Sequence, residues 1–127
     1  MKRSWIYCHL DTPEDTRGLL KRHYEELVRY SDQMGFLASG YSDDLGGRST
    51  LHKDGLQAFL DAARAGDVDV LIIKDVTRIS KEPKWQKMFL DQMKRWNIEV
   101  YSPDEGKLDF VHSASSSEKS LLSIECI

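Results

Sequence analysis

Four aspartates, Asp11, Asp43, Asp44 and Asp75, stand with Arg48, Lys53, Lys74, Arg78 and Lys81 where strands would end or in the loops that follow. If one sheet rim gathers them, two chemistries compete. Carboxylates sharing a rim can hold Mg²⁺ for phosphoryl transfer. Guanidinium and ammonium groups can hold a phosphate and stabilise the charge that builds on it. Taken singly, each residue is better explained as a solvated loop charge, and composition does not separate the two chemistries.

The stretch that must position them is Gly55–Lys81, GLQAFLDAARAGDVDVLIIKDVTRISK. Leu56, Phe59, Leu60 and Ala63 recur at i, i+3, i+4 and i+7 and make one apolar helical face. Gly66 suits the left-handed position after the last turn. Val68–Ile73, apolar and mostly β-branched apart from Asp69, predicts a strand covered on both faces. Lys74–Lys81 then falls at the carboxyl end of that strand, where α/β folds place chemistry. Upstream, Trp5–Leu10 reads as a first strand and Thr16–Met34 as a helix with Leu20, Tyr24, Leu27, Val28 and Ser31 inward. Phe36–Tyr41 is a second strand, and Ser42–Asp54, with a Gly-Gly pair and no periodicity, a long polar loop. Downstream, Pro83 opens a helix to about Asn97 that turns Trp85, Met88, Phe89, Met93 and Trp96 inward. Ile98–Tyr101 is a fourth strand, Asp104-Glu105-Gly106 a turn and Leu108–Val111 a fifth strand. The alternation predicts an α/β fold, a mostly parallel sheet of four to five strands with helices on both faces.

With 127 residues, 40% apolar and 31% charged, the chain has the makings of one soluble domain. No apolar run spans a bilayer and the N-terminus lacks a signal-peptide core, so a cytoplasmic location without membrane partners is expected. Cys8, inside an apolar strand, and Cys126, near the end, share no metal-ligand spacing and fit a reducing compartment. The formal net charge is −3. Domains that grip nucleic acid unaided carry a basic excess, so weak DNA binding in isolation is expected.

The order of the motifs separates the competing chemistries. Tyr7-Cys8-His9-Leu10-Asp11 closes the first strand, and Leu20, His23, Leu27 and Tyr30 space the first helix. The loop from Asp43 ends in Lys53-Asp54-Gly55-Leu56. Thr77-Arg78-Ile79-Ser80-Lys81 follows the central strand, and Asp104-Glu105-Gly106 turns the chain near its end. Over about residues 4–111 the chain resembles the catalytic domain of the serine site-specific recombinases, the resolvase/invertase family. The corresponding family patterns are Tyr-x-Arg-x-Ser, Leu-x-x-Gln-x-x-x-Leu-x-x-Tyr, a loop ending Arg-Pro-x-Leu, Asp-Arg-x-x-Arg, and Asp-Glu-Gly. The resemblance implies a resolvase-like three-layer fold over 1–111. It also implies a Ser-rich tail over 112–127 that begins a long interface helix. A separate DNA-binding domain, homo-oligomers in the full-length family and a role in mobile-element DNA recombination or integration go with it. In the family a serine hydroxyl attacks a DNA phosphodiester and keeps the bond energy in a phosphoserine link, so no metal or other cofactor is implied.

The departures sit at the chemistry. Asp11 stands at the nucleophile position, where a carboxylate faces a phosphate of like charge and any acyl phosphate is labile to water. His9 replaces the first arginine, and Lys53 and Lys81 replace two more, keeping charge but losing the planar fork. Thr77 replaces the loop aspartate, and only Arg78 is unchanged. Ser4 and Ser42 occupy other places in the pattern, and Thr12, Ser49 and Thr50 lie on loops, so no nearby hydroxyl restores a nucleophile. The expectation is a pseudoenzyme that does not cleave DNA. Its rivals are an interaction module pairing with an active recombinase, and a metal-dependent phosphate enzyme using Asp11, Asp43 or Asp44, and Asp75.

Overall fold

The computed structural model describes residues 1–46 and 51–109. The elements run β1 (Arg3–Leu10), α1 (Leu19–Gln33), β2 (Leu37–Leu45), α2 (Asp54–Arg64), β3 (Val70–Ile72), a one-turn 3₁₀ helix (Val76–Arg78), α3 (Pro83–Arg95), β4 (Glu99–Ser102) and β5 (Gly106–Lys107). The sheet order is β2-β1-β3-β4-β5; the first four strands are parallel and β5 is antiparallel to β4. Alternation along the strands sends side chains to two separate cores. Tyr7, Leu71, Ile73 and Val100 meet Leu56 and Phe59 of α2 and Phe89 and Met93 of α3. Ile6, Cys8, Val70 and Ile72 meet Leu27 of α1 on the opposite face. The architecture is therefore the three-layer one expected, with α1 on one side and α2 and α3 on the other.

Beyond small shifts at the ends of β1, β3 and α3, four differences from the sequence reading have a visible cause. Helix α1 begins at Leu19 rather than Thr16, because the Asp15 carboxylate accepts the Leu19 and Leu20 amides at 2.8 and 3.1 Å and Gly18 turns left-handed at φ 67°. Strand β2 does not stop at Tyr41 but pairs with β1 through Leu10↔Leu45. Its polar end is extended because its side chains have partners: the Trp5 indole N–H donates to Ser42 at 2.9 Å, and Ser42 donates to the Gly55 carbonyl at 2.6 Å. Gly40, which reads as a weak point in this strand, is where the Trp5 ring lies, and a Cβ there would come within 2.2 Å of it. Third, β5 lies two residues earlier than Leu108, because Ser102 accepts the amides of Asp104 and Glu105, each at 3.1 Å, and closes the turn early. Phe110, Val111 and the 112–127 tail lie outside the described residues. Fourth, Tyr24 and Met88, expected inward, are exposed, and Leu90 is buried in α3 instead.

Candidate functional site at the ends of strands β1 and β3

Strand β1 delivers His9 and Asp11 to the carboxyl edge of the sheet, and the turn after β3 delivers Thr77, Arg78 and Lys81 beside them. The half-exposed Asp11 carboxylate pairs with the Lys81 ammonium at 2.6 Å and faces His9 Nδ1 at 3.8 Å. Lys81, as the nearest cation, holds the Asp11 carboxyl below the usual carboxylate range. His9 is only 3% exposed, and its Nε2 lies 2.7 Å from the Gly46 carbonyl. Burial pushes the His9 pKa down, with the Lys53 charge adding to it. The imidazole is therefore neutral at pH 7 and uses its Nε2–H to hold the end of β2.

Arg78 donates from Nη1 to the His9 carbonyl at 2.7 Å and pairs through Nε with Asp75 at 3.4 Å. Thr77 donates both its amide, at 3.0 Å, and its hydroxyl to Asp75, which thus caps the 3₁₀ turn. Lys53 is 6% exposed and donates to the Arg78 and Ile79 carbonyls at 2.9 and 2.8 Å. Burial pushes its ammonium down to about 8. It ties the segment before α2 to the turn that carries Arg78. The six residues singled out from sequence, His9, Asp11, Lys53, Thr77, Arg78 and Lys81, thus form one contact network. Within it, Lys53, Arg78 and Lys81 each have an internal acceptor.

Of the other described rim charges, Asp75 joins it through Thr77 and Arg78, whereas Lys74, Asp43 and Asp44 have partners elsewhere. Lys74 turns to Glu26 at 3.1 Å and Asp104 at 3.6 Å. Asp43 accepts the Tyr41 hydroxyl. Asp44 accepts the Gly55 and Leu56 amides at 2.8 and 3.0 Å and the Tyr7 hydroxyl at 2.7 Å, capping α2 from the neighbouring strand. Arg48, Ser49 and Thr50 lie outside the described residues. Among the described residues no three His, Cys, Asp or Glu side chains converge as metal ligands, and no helix is long and apolar enough to cross a membrane. Thr12 donates to the Glu14 carbonyl at 2.8 Å, and Ser4 bonds to Ser31 at 2.8 Å.

Sequence reasoning missed the Tyr7–Asp44 cap, which joins residues with no shared motif. It also missed the state of His23. That ring sits on α1 near Arg78 and Lys74, its buried Nδ1 has no partner, and burial together with those two cations lowers its pKa.

A strand-end cluster of this order, on this sheet, can be set against known proteins. The family profile described as Resolvase, N terminal domain, matches residues 6–124. The chain belongs to the resolvase N-terminal domain family. Solved structures agree on the fold of this resolvase-family domain. It is similar to the N-terminal catalytic domain of TP901-1 integrase, with TM-score 0.72 and 19% identity over 83% of this chain and 79% of that one. It is also similar to the C-terminal catalytic domain of ISC1926 TnpA, an IS607-like serine recombinase, with TM-score 0.71 and 17% identity over 79% and 66%. A resolvase family site-specific recombinase from Streptococcus pneumoniae gives TM-score 0.71 and 12% identity over 84% and 74%. No curated protein sequence matches the chain.

Proposed function

We propose that this resolvase-family domain is a serine-recombinase homologue from a mobile-element setting that has lost DNA cleavage by the family mechanism. The observation that carries the reading is the Asp11–Lys81 pair at 2.6 Å. At the nucleophile position stands a carboxylate held ionised by its own cation, so an approaching phosphodiester meets like charge. Arg78 and Lys53, which would neutralise a phosphate, are bonded to backbone carbonyls. His9, neutral and buried, supplies no positive charge there. Removing the nucleophile and weakening several charge partners acts on the same transition state, and such losses raise its barrier together.

In this reading residues 1–111 are the catalytic-domain homologue and 112–127 begin the family's interface helix. DNA is reached through a separate domain, and the protein works in the cytoplasm. A second reading, a non-catalytic module that pairs with an active recombinase, is favoured by the same combination of an intact scaffold and internally satisfied cations. It predicts capture of a competent recombinase without any covalent adduct.

The test is restoration in a chain given a DNA-binding domain of known site. Asp11→Ser, His9→Arg, Lys53→Arg, Thr77→Asp and Lys81→Arg are combined and incubated with a duplex carrying that site. A covalent protein–DNA adduct in the restored protein alone supports the proposal. An adduct of equal yield in the unaltered sequence overturns it.

A further inference from the structure

Among the described residues, five of the seven exposed large apolar side chains belong to α1, its C-terminal cap and β2: Tyr24, Met34, Leu37, Tyr41 and Leu45. Strand β2 is the outermost strand of the sheet. Tyr41 and Leu45, which pair with Ile6 and Leu10, share its α1 face, where Tyr41 meets Tyr24 edge-on with ring centroids 4.8 Å apart; Leu37 lies before the register shift, pairs with Arg3 and is on the opposite face. The backbone polarity of this edge follows from the ladder. Leu10 pairs with Leu45 while the Gly46 amide donates to the Leu10 carbonyl at 2.9 Å. Alternation in a parallel pair then turns the N–H and C=O groups of Leu45, Asp43 and Tyr41 away from β1. No lysine or proline guards this strand, and its one irregularity lies at the other end, opposite Ser4 and Trp5. Such an edge is a template for another strand.

The sequence of the edge selects what fits it. An antiparallel copy of β2 centred on Asp43 would set that carboxylate against its own image, and like charges directly opposite are destabilising. Centring on Tyr41 leaves only that residue with outward groups facing outward groups. Centring on Ser42 places Tyr41 of each copy opposite Asp43 of the other, so the two pairs that flank the axis each combine outward-turned backbone with a phenol and a carboxylate. The Tyr41 hydroxyl already donates to Asp43 within the strand, and the same donor and acceptor meet across the axis. Leu45 then faces Ser39, and Tyr24 rims the joint.

We infer that β2 is an interface between two copies of this chain, joined antiparallel about a two-fold axis at Ser42 into one continuous sheet. The contact is isologous and closes as a dimer. It is independent of the site chemistry.

The test uses the full 127-residue chain, followed by sedimentation velocity and by residue-resolved amide exchange over rising concentration. The expected result is a monomer–dimer equilibrium in which the Tyr41 and Asp43 amides gain protection as the dimer forms. Tyr41→Glu opposes Asp43 of the other copy with like charge, and Asp43→Pro removes an outward donor at an edge position that tolerates proline. Each raises the dissociation constant by about tenfold or more, with a circular dichroism spectrum unchanged from the parent. A monomer at every concentration overturns the inference. So does a dimer in which those amides stay open, or one that both folded variants form with parental affinity.

Discussion

Replacing Asp44 by alanine probes how the strand end and helix α2 are locked together. Its carboxylate accepts the Gly55 and Leu56 amides and the Tyr7 hydroxyl, and all three donor residues are buried. Loss of a helix cap costs about 1 kcal/mol, with the high end near 2 where water cannot substitute. The Tyr7 hydroxyl, left without an acceptor in a fully buried ring, adds roughly 1–3 kcal/mol. The variant should therefore lose about 3 kcal/mol and melt on the order of 10 °C lower. Urea unfolding followed by tryptophan fluorescence reads this directly, with the slope m unchanged if the native fold persists. Adding Tyr7→Phe removes the stranded hydroxyl and should recover about 1 kcal/mol in the Asp44→Ala background. A loss under about 0.5 kcal/mol, smaller than the weakest cap, would refute the reasoning, as would a Tyr7→Phe change that recovers nothing.

Gly55→Ala puts a Cβ 2.3 Å from the Asp43 carbonyl oxygen. Helix propensity alone would favour alanine by about 1 kcal/mol, so net destabilisation in thermal melts separates the close approach from propensity, and a neutral result contradicts it. Lys53 titrates near 8 when folded and at 10.5 when free. The unfolded chain thus holds more protons between those values, and this group's contribution to stability rises with pH across that window. The stability gap between parent and Lys53→Met should widen from pH 8 to 10 by on the order of 1–3 kcal/mol; a constant gap would be inconsistent with burial as the cause. His9 is held below its free value of 6.5, so its contribution is present above that pH and lost as acid protonates it through the folded pKa. His9→Gln should flatten part of the acid-side fall in denaturation curves, leaving a remainder to which His23 contributes; an unchanged slope counts against a neutral buried His9.

The helices and central strands were legible because each presents one apolar face at a regular spacing. Leu56, Phe59 and Ala63 read as a buried stripe and are one, and the Val70–Ile72 strand is buried as its composition demanded. Strand β2 was cut short because its far half is polar, and polarity there reflects an edge position and partners distant in sequence rather than a loop. Tyr24 and Met88 misled for the converse reason: helical spacing names a face, but only the packed sheet decides how far that face extends. At the site, residue identities predicted proximity and not allegiance. Lys53 read as a phosphate-facing cation, yet its ammonium is turned onto two carbonyls. Asp44 and Asp75 read as rim carboxylates, yet they cap a helix and a turn. Backbone donors and acceptors at element ends take up side-chain charge wherever it is within reach, and no pattern in the chain records which of them will.

On the proposed reading Asp11, held ionised by Lys81, forms no link to DNA. The most direct measurement is denaturing electrophoresis with intact-mass spectrometry. It is applied to the unaltered chain, bearing a DNA-binding domain of known site, after incubation with a duplex carrying that site. The expected result is free protein and uncut duplex at all times, and no mass corresponding to a joined species. A covalent protein–DNA species mapped to this domain, whether on Asp11 or on a neighbouring hydroxyl, would contradict it.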